Sequence, residues 1–178
     1  MSPARANHDW SRPVLLHEIG RHALTLRLEP DAAARAGIAK QLGLEGLPSL
    51  SAELTLKPWL DGVEITGRFA AVVEQICAVS LDAFDHPLAG DIEVRAVPAG
   101  SPHAPASSGG EVDYDPEAPD PPDVLESDAI DLAGYVVEHL ALEIDPFARK
   151  PGAAFDYSPE QPEESPFAVL KALKDRER

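Results

Sequence analysis

The most regular feature of the chain is an alternation of apolar and polar residues over two neighbouring stretches. In LSAELTLKPWL, Leu50, Ala52, Leu54 and Leu56 alternate with Ser51, Glu53, Thr55 and Lys57, the period of a strand with one buried face. VEITGRFAAVVEQIC puts Val63, Ile65, Phe69, Ala71, Val73 and Cys77 on one face, with Gly67 and Gln75 on the same side. Asp61-Gly62 between the two predicts a hairpin turn. DIEVRAVP brings Ile92, Val94 and Ala96 together as a further strand, and neighbours in sequence are expected to pair antiparallel. Upstream, VLLHEIGRHALTLRLEP reads as two strands around Gly20-Arg21, with Leu24, Leu26 and Leu28 alternating in the second.

Three stretches carry the helical period instead. In DAAARAGIAKQLGL, Ala34, Ile38 and Leu42 recur every fourth residue, and Gly43 stands where a helix C′ residue would. In DAIDLAGYVVEHLALEI, Ile130, Ala133, Val137, Leu140, Ala141 and Ile144 form a stripe. Asp128 and Asp131 suit its N-terminus, and Pro146 ends it. In SPFAVLKALKDRER, Ser165 can cap and Pro166 sits at the first helical position. Residues 99–128, rich in Pro, Gly, Ser and acid, break every pattern, having too little apolar surface to offset ordering entropy. They predict a long acidic loop whose later part docks as an extended strand. The expected fold is α+β: a mainly antiparallel sheet, open or curled into a barrel-like form, with about three helices. Residues 1–13 read as a flexible N-terminus. Residues 14–178 read as one domain, with the acidic loop 99–128 and a C-terminal Pro-rich segment plus helix, 145–178.

Charge changes this picture most. The formal net charge is −16. No Lys or Arg occurs between Ala96 and Ala148, a window holding twelve acids, among them Asp113, Asp115, Asp120, Asp123 and Asp131. Such a surface repels nucleic acid at long range, because phosphate binding depends on cations. It suits a basic protein partner, or simply keeps the chain in solution. No DNA or membrane partner is expected. A single cysteine, Cys77, implies no internal disulfide. No apolar run approaches the roughly 20 residues that span a bilayer, and the N-terminus lacks the apolar core of a secretory signal. A cytoplasmic protein is expected.

Catalytic chemistry finds little support. Cys77 ends an apolar strand face, the setting of a buried structural cysteine rather than of an activated nucleophile. The six histidines lack metal-ligand spacing. The paired acids of the loop lack the rigidity and desolvation that acid–base work needs. No catalytic residue, metal or cofactor is expected. The first cations after Arg95 are Arg149 and Lys150, followed by Pro151 and Gly152 in DPFARKPGAAF. They either complement the preceding helix's dipole and stop it, or form a contact for phosphate or an acidic protein.

Three stretches also carry a family pattern. VEITGRFAAVVEQICAVSLDAFDHPLAGDIEVRAVP holds Gly67, Cys77, Leu81, Asp82 and Phe84 in the order of a Gly, Cys and Leu-acid-x-Phe segment before a strand. DAIDLAGYVVEHLALEIDPFARKPGA has an Ile-Asp-Leu helix and its Pro element, and SPFAVLKALK closes on Phe-x-x-Leu-x-x-Leu. The chain resembles the YceD family, the large ribosomal RNA subunit accumulation proteins; SRPV and the helix before LGLEGL also fit one bacterial branch. The resemblance makes residues 14–178 a YceD-like domain. It implies a non-enzymatic factor for accumulation of large-subunit ribosomal RNA. Many members carry further cysteines after the first and after the helix, which suggests a metal site. Here Val79 and Ser80 follow Cys77, and RKPGAAFDYSPEQPEE replaces the second cluster, so a zinc role does not carry over.

Two binding modes follow. An acidic surface would attract a basic ribosomal protein, or Arg149, Lys150, Lys171, Lys174, Arg176 and Arg178 would form one patch on precursor RNA. A third reading, of another class, is a Cys77-dependent enzyme.

Overall fold

The computed structural model describes residues 10–20, 22–105 and 120–155. Its centre is the hairpin expected from the alternation. Strand β3 spans Gly46–Trp59 and β4 spans Gly62–Ile76, paired antiparallel. Every apolar residue of the alternating faces, from Leu50 to Leu56 and Val63 to Cys77, is buried. The turn differs by one residue from the expectation. Trp59 pairs with Gly62, so Leu60 and Asp61 form the turn and Leu60 takes φ 53°. Gly62 belongs to the strand, and glycine is needed there because a Cβ would stand 2.0 Å from the Ala96 carbonyl oxygen.

β4 continues the sheet into β5, Ala83–Pro98, antiparallel and twice as long as DIEVRAVP predicts. β2, Leu24–Leu28, pairs antiparallel with β3 on the other side. β6, Asp123–Leu125, joins the outer edge of β5 in parallel, the docked strand expected at the end of the acidic loop. The five strands run β2-β3-β4-β5-β6. β2 and β6 remain edges, so the sheet is open and not a closed barrel. The two strands expected around Gly20-Arg21 do not pair with each other. β1, Pro13–Leu15, pairs with β7, Ala129–Asp131, as a separate two-stranded sheet.

Helix α1, Ala32–Leu42, starts where the Asp31 carboxylate accepts the Ala34 N–H at 2.8 Å. It ends in a Schellman arrangement: Leu44 N–H donates to Ala39, Gly43 N–H to Lys40, and Gly43 has φ 67°. α2, Leu132–Glu143, begins at an Asp131 cap rather than at Asp128. Ile130, counted in the helical stripe, is a strand residue, and Ala141 is exposed. Leu132, Ala133, Val136, Val137 and Leu140 form the true buried face, packed on β5 and β4. α1 packs on β3. Two α-helices lie among the described residues; the third expected helix, 165–178, and acidic-loop residues 106–119 lie outside them.

The opposite face of the sheet is charged. Register places Arg27, Glu53, Arg68 and Asp91 in one cross-strand row and Lys57, Glu64 and Arg95 in another. Alternating signs on adjacent strands attract one another, and in the second row Arg95 and Glu64 form an ion pair at 3.0 Å.

Candidate functional site

The expected site residues fall into two regions, and the acids divide between them and the scaffold. Asp131 is structural. Its carboxylate accepts the Arg12 N–H at 2.7 Å, the Ser11 hydroxyl at 2.9 Å and the Ala133 N–H at 3.1 Å. It thereby caps α2 and ties the N-terminal segment to it. Asp113 and Asp115 lie outside the described residues.

Asp120 and Asp123 line an open groove of about 500 Å³ with Glu93, Val94, Arg95 and Pro121. The parallel docking of β6 against β5 creates it. Asp123 Oδ2 accepts the Tyr135 hydroxyl at 2.9 Å. Burial, and next the Asp123 charge, raise the Tyr135 pKa, so the phenol stays a donor. The groove's own cation is already engaged. Arg95 reaches Glu64 at 3.0 Å and Glu93 at 3.7 Å, and its guanidinium lies 5.5 Å from the Trp59 ring centre. The groove therefore presents surplus carboxylate.

The second region joins the turn after β4 to the turn after α2. Lys150 donates its backbone N–H to Cys77 Sγ at 3.3 Å, and Ala78 donates to the Ala148 carbonyl at 2.9 Å. Val79 and Ser80 also direct N–H groups at Sγ, each at 3.4 Å. Cys77 is fully buried with Phe84 and Ala148. Hydrogen bonds from Ser80, then from Lys150, favour the thiolate and lower the thiol pKa to about 6, outweighing burial, which raises it. Inaccessibility separates this thiol from a reactive one, because attack requires contact as well as ionisation.

Gln75 completes the junction. Its Nε2 donates to the Asp145 carbonyl at 3.0 Å and its Oε1 pairs with His86 Nδ1 at 2.9 Å. The His86 ring stacks on Phe84, centroids 5.8 Å apart. A lone glutamine on an apolar strand face was the sequence signal for this role. On this base stand Arg149 and Lys150, both exposed and in no ion pair among the described residues. Pro151 and Gly152 form a type II turn, closed by Ala153 N–H to Lys150 O at 3.0 Å, with Gly152 at φ 80°. They shape the turn that carries Lys150, but α2 has already ended at Glu143, so neither the cations nor the Pro-Gly pair stops the helix.

The family-pattern residues gain physical meaning here. Gly67 leaves no room for a side chain: a Cβ would lie 2.1 Å from the Glu53 carbonyl oxygen. Asp82 accepts the Cys77 N–H at 2.8 Å through its carbonyl, and Leu81 turns the chain at φ 62°. Phe84 packs against Cys77. Among the described residues no group of three or more His, Cys, Asp or Glu could hold a metal ion. None of their helices is long and apolar enough to cross a membrane.

These features define a small α+β protein on an open sheet, whose distinctive surfaces are an acidic groove and a pair of interlocked turns. A family model described as large ribosomal RNA subunit accumulation protein YceD matches residues 65–174, over half of the chain, and the chain belongs to that family. The match starts within β4 and includes both regions. Its name links the chain to accumulation of large-subunit ribosomal RNA. Searches of curated proteins and of solved structures find no match.

Proposed function

We propose that this protein is a non-enzymatic, cytoplasmic ribosome-biogenesis factor. It supports synthesis, processing or stability of large-subunit ribosomal RNA by binding a basic ribosomal protein through its acidic surface. The observation carrying this reading is the groove at Glu93, Asp120 and Asp123, whose one lining cation among the described residues, Arg95, is already paired. Lys and Arg side chains of a partner would find three carboxylates there against one cation, Arg95, among the described lining residues. Long-range attraction from a chain of net charge −16 would speed encounter.

The test is affinity capture of the tagged protein from growing cells, with and without ribonuclease. A basic large-subunit protein should remain bound after ribonuclease and be released steeply by salt. Binding that is absent, or insensitive to salt, refutes the acidic-surface mechanism. The exposed Arg149 and Lys150 favour a second reading, direct contact with precursor RNA. Loss of every ribosomal protein on ribonuclease treatment would select it. A thiol enzyme using Cys77 has the least support, since its sulfur is buried among backbone donors.

A further inference from the structure

Strand β5 carries the longest open edge among the described residues. One edge pairs with β4 from Ala83 to Ala96, whereas the other meets β6 only at Ala96–Pro98. Backbone groups alternate sides along such a strand. Ala99, just past its end, donates its N–H outward to the Leu125 carbonyl at 3.1 Å. Pro87, which has no N–H to give β4, falls on the same alternate positions. Asp85, Ala89, Asp91 and Glu93 share that parity and turn their N–H and C=O groups outward. Among the described residues no backbone hydrogen bond from another segment reaches them. An unpaired row of this kind is a template for one more strand.

Charge along the edge selects what can fill it. Asp85, Asp91 and Glu93 have exposed side chains, and Asp85 stands beside Glu74 in the register. On the other face, α2 brings Glu143 over Gly90, where a Cβ would stand 3.4 Å from its Cγ. Arg68, beside Asp91, and the already paired Arg95 are the cations set against these acids. The open edge also runs directly into the acidic groove, because Glu93 and Val94 line both. A second copy would bring the same carboxylates and a further net charge of −16, and like charges facing one another across strands are destabilising. The chain's own acidic stretch, with Glu111, Asp113, Asp115 and Glu117, matches the edge no better. A basic extended segment supplies both the missing backbone partners and the opposite charge.

We propose, building on the acidic-surface reading, that the basic partner binds by adding a β-strand. An extended segment bearing Lys or Arg pairs its backbone with β5 from Asp85 to Glu93 and runs its end into the groove at Asp120 and Asp123. Nine extended residues cover about 30 Å, the length of this edge. Backbone bonds supply affinity and register, and the carboxylates select cationic side chains.

The probe is an amidated synthetic peptide of about nine residues alternating Lys and Val, titrated calorimetrically into the full chain at low salt. It should bind the wild type and slow amide exchange at Ala89, Asp91 and Glu93 at least about tenfold. Ala89→Pro keeps every charge and every bond to β4 but removes an outward N–H, and should weaken binding about tenfold. The fully N-methylated peptide has the same charge and no backbone donors, and should lose as much even if the variant fails to fold. Undiminished binding by the N-methylated peptide, or by folded Ala89→Pro, overturns strand addition and leaves attraction by the acidic surface standing. A peptide that does not bind the wild type also overturns it. The acidic-surface reading itself falls only if a basic protein captured from cells binds Asp120→Asn/Asp123→Asn as tightly as the wild type. Outward amides already protected in the free chain overturn strand addition as well: protection that rises with concentration assigns the edge to a second copy, and protection independent of it assigns the edge to the chain itself.

Discussion

Replacing Gln75 by Leu tests how the post-helix turn is held. Leucine keeps roughly the side-chain volume and removes both hydrogen bonds. Gln75 is 9% exposed, so bulk water cannot readily replace them. The Asp145 carbonyl loses one of two donors, since Ala148 N–H still reaches it at 3.3 Å. His86 Nδ1 loses its partner Gln75 Oε1 inside the fold. Two hydrogen bonds at about 1 kcal/mol each predict a loss of about 2 kcal/mol, with a partly orphaned imidazole as a further increment. Urea unfolding should show this as a midpoint lowered by about 1 M at an m-value near 2 kcal/mol/M. Amide exchange at Ala148 and Lys150 should accelerate more than that of β3. Combining Gln75→Leu with His86→Ala should then cost less than the sum of the two changes, because they share one bond. An unchanged midpoint, or strictly additive costs, would refute the claim that Gln75 pins the turn to the sheet.

Gly67→Ala should destabilise by about 3 kcal/mol in the same assay, because its Cβ meets backbone rather than a movable side chain. Asp131→Ala should cost about 2 kcal/mol and speed exchange in β1, since it removes the α2 cap and the tie to Ser11 and Arg12. The Cys77 thiol pKa is depressed from about 9 to about 6, so its contribution is full above the unfolded value and is lost as pH falls through about 6. The stability gap between wild type and Cys77→Ser should therefore widen from pH 5.5 to 9; a gap that narrows would show a neutral thiol in the native state. Arg149→Glu/Lys150→Glu should leave the unfolding midpoint within about 0.5 kcal/mol of wild type, as both side chains are exposed. A large loss would make them structural.

The parts of the fold legible in the sequence are those stabilised by local rules. β3 and β4 alternate because one face is buried along their whole length, and period two survives any change of partner. α1 was readable from Ile38 and Leu42 to Gly43, since its ending motif lies within a few residues of chain. The first half of β5 was hidden because FDHPLAG contains proline, glycine and histidine. Pro87 is tolerated there because no strand pairs on the outer edge of β5 before Ala96. Ala129–Asp131 read as helix because an aspartate, an isoleucine and another aspartate fit a capped stripe. Pairing with Pro13–Leu15, more than a hundred residues away, takes them into a strand instead.

The candidate site divides in the same way. That Arg149 and Lys150 stand alone after a long acidic window, and that Gln75 interrupts an apolar face, could be read residue by residue. That Lys150 N–H meets Cys77 Sγ, that Gln75 holds the Asp145 carbonyl, and that Glu93 joins Asp120 and Asp123 in one groove could not. Each is a contact between segments far apart in the chain, and hydrogen bonds and charge act through distance in space. Composition determines the sign of this protein's surface and periodicity determines its strands and helices. Only the folded chain decides which acids cap helices, which are left to face a partner, and what holds its two cations in place.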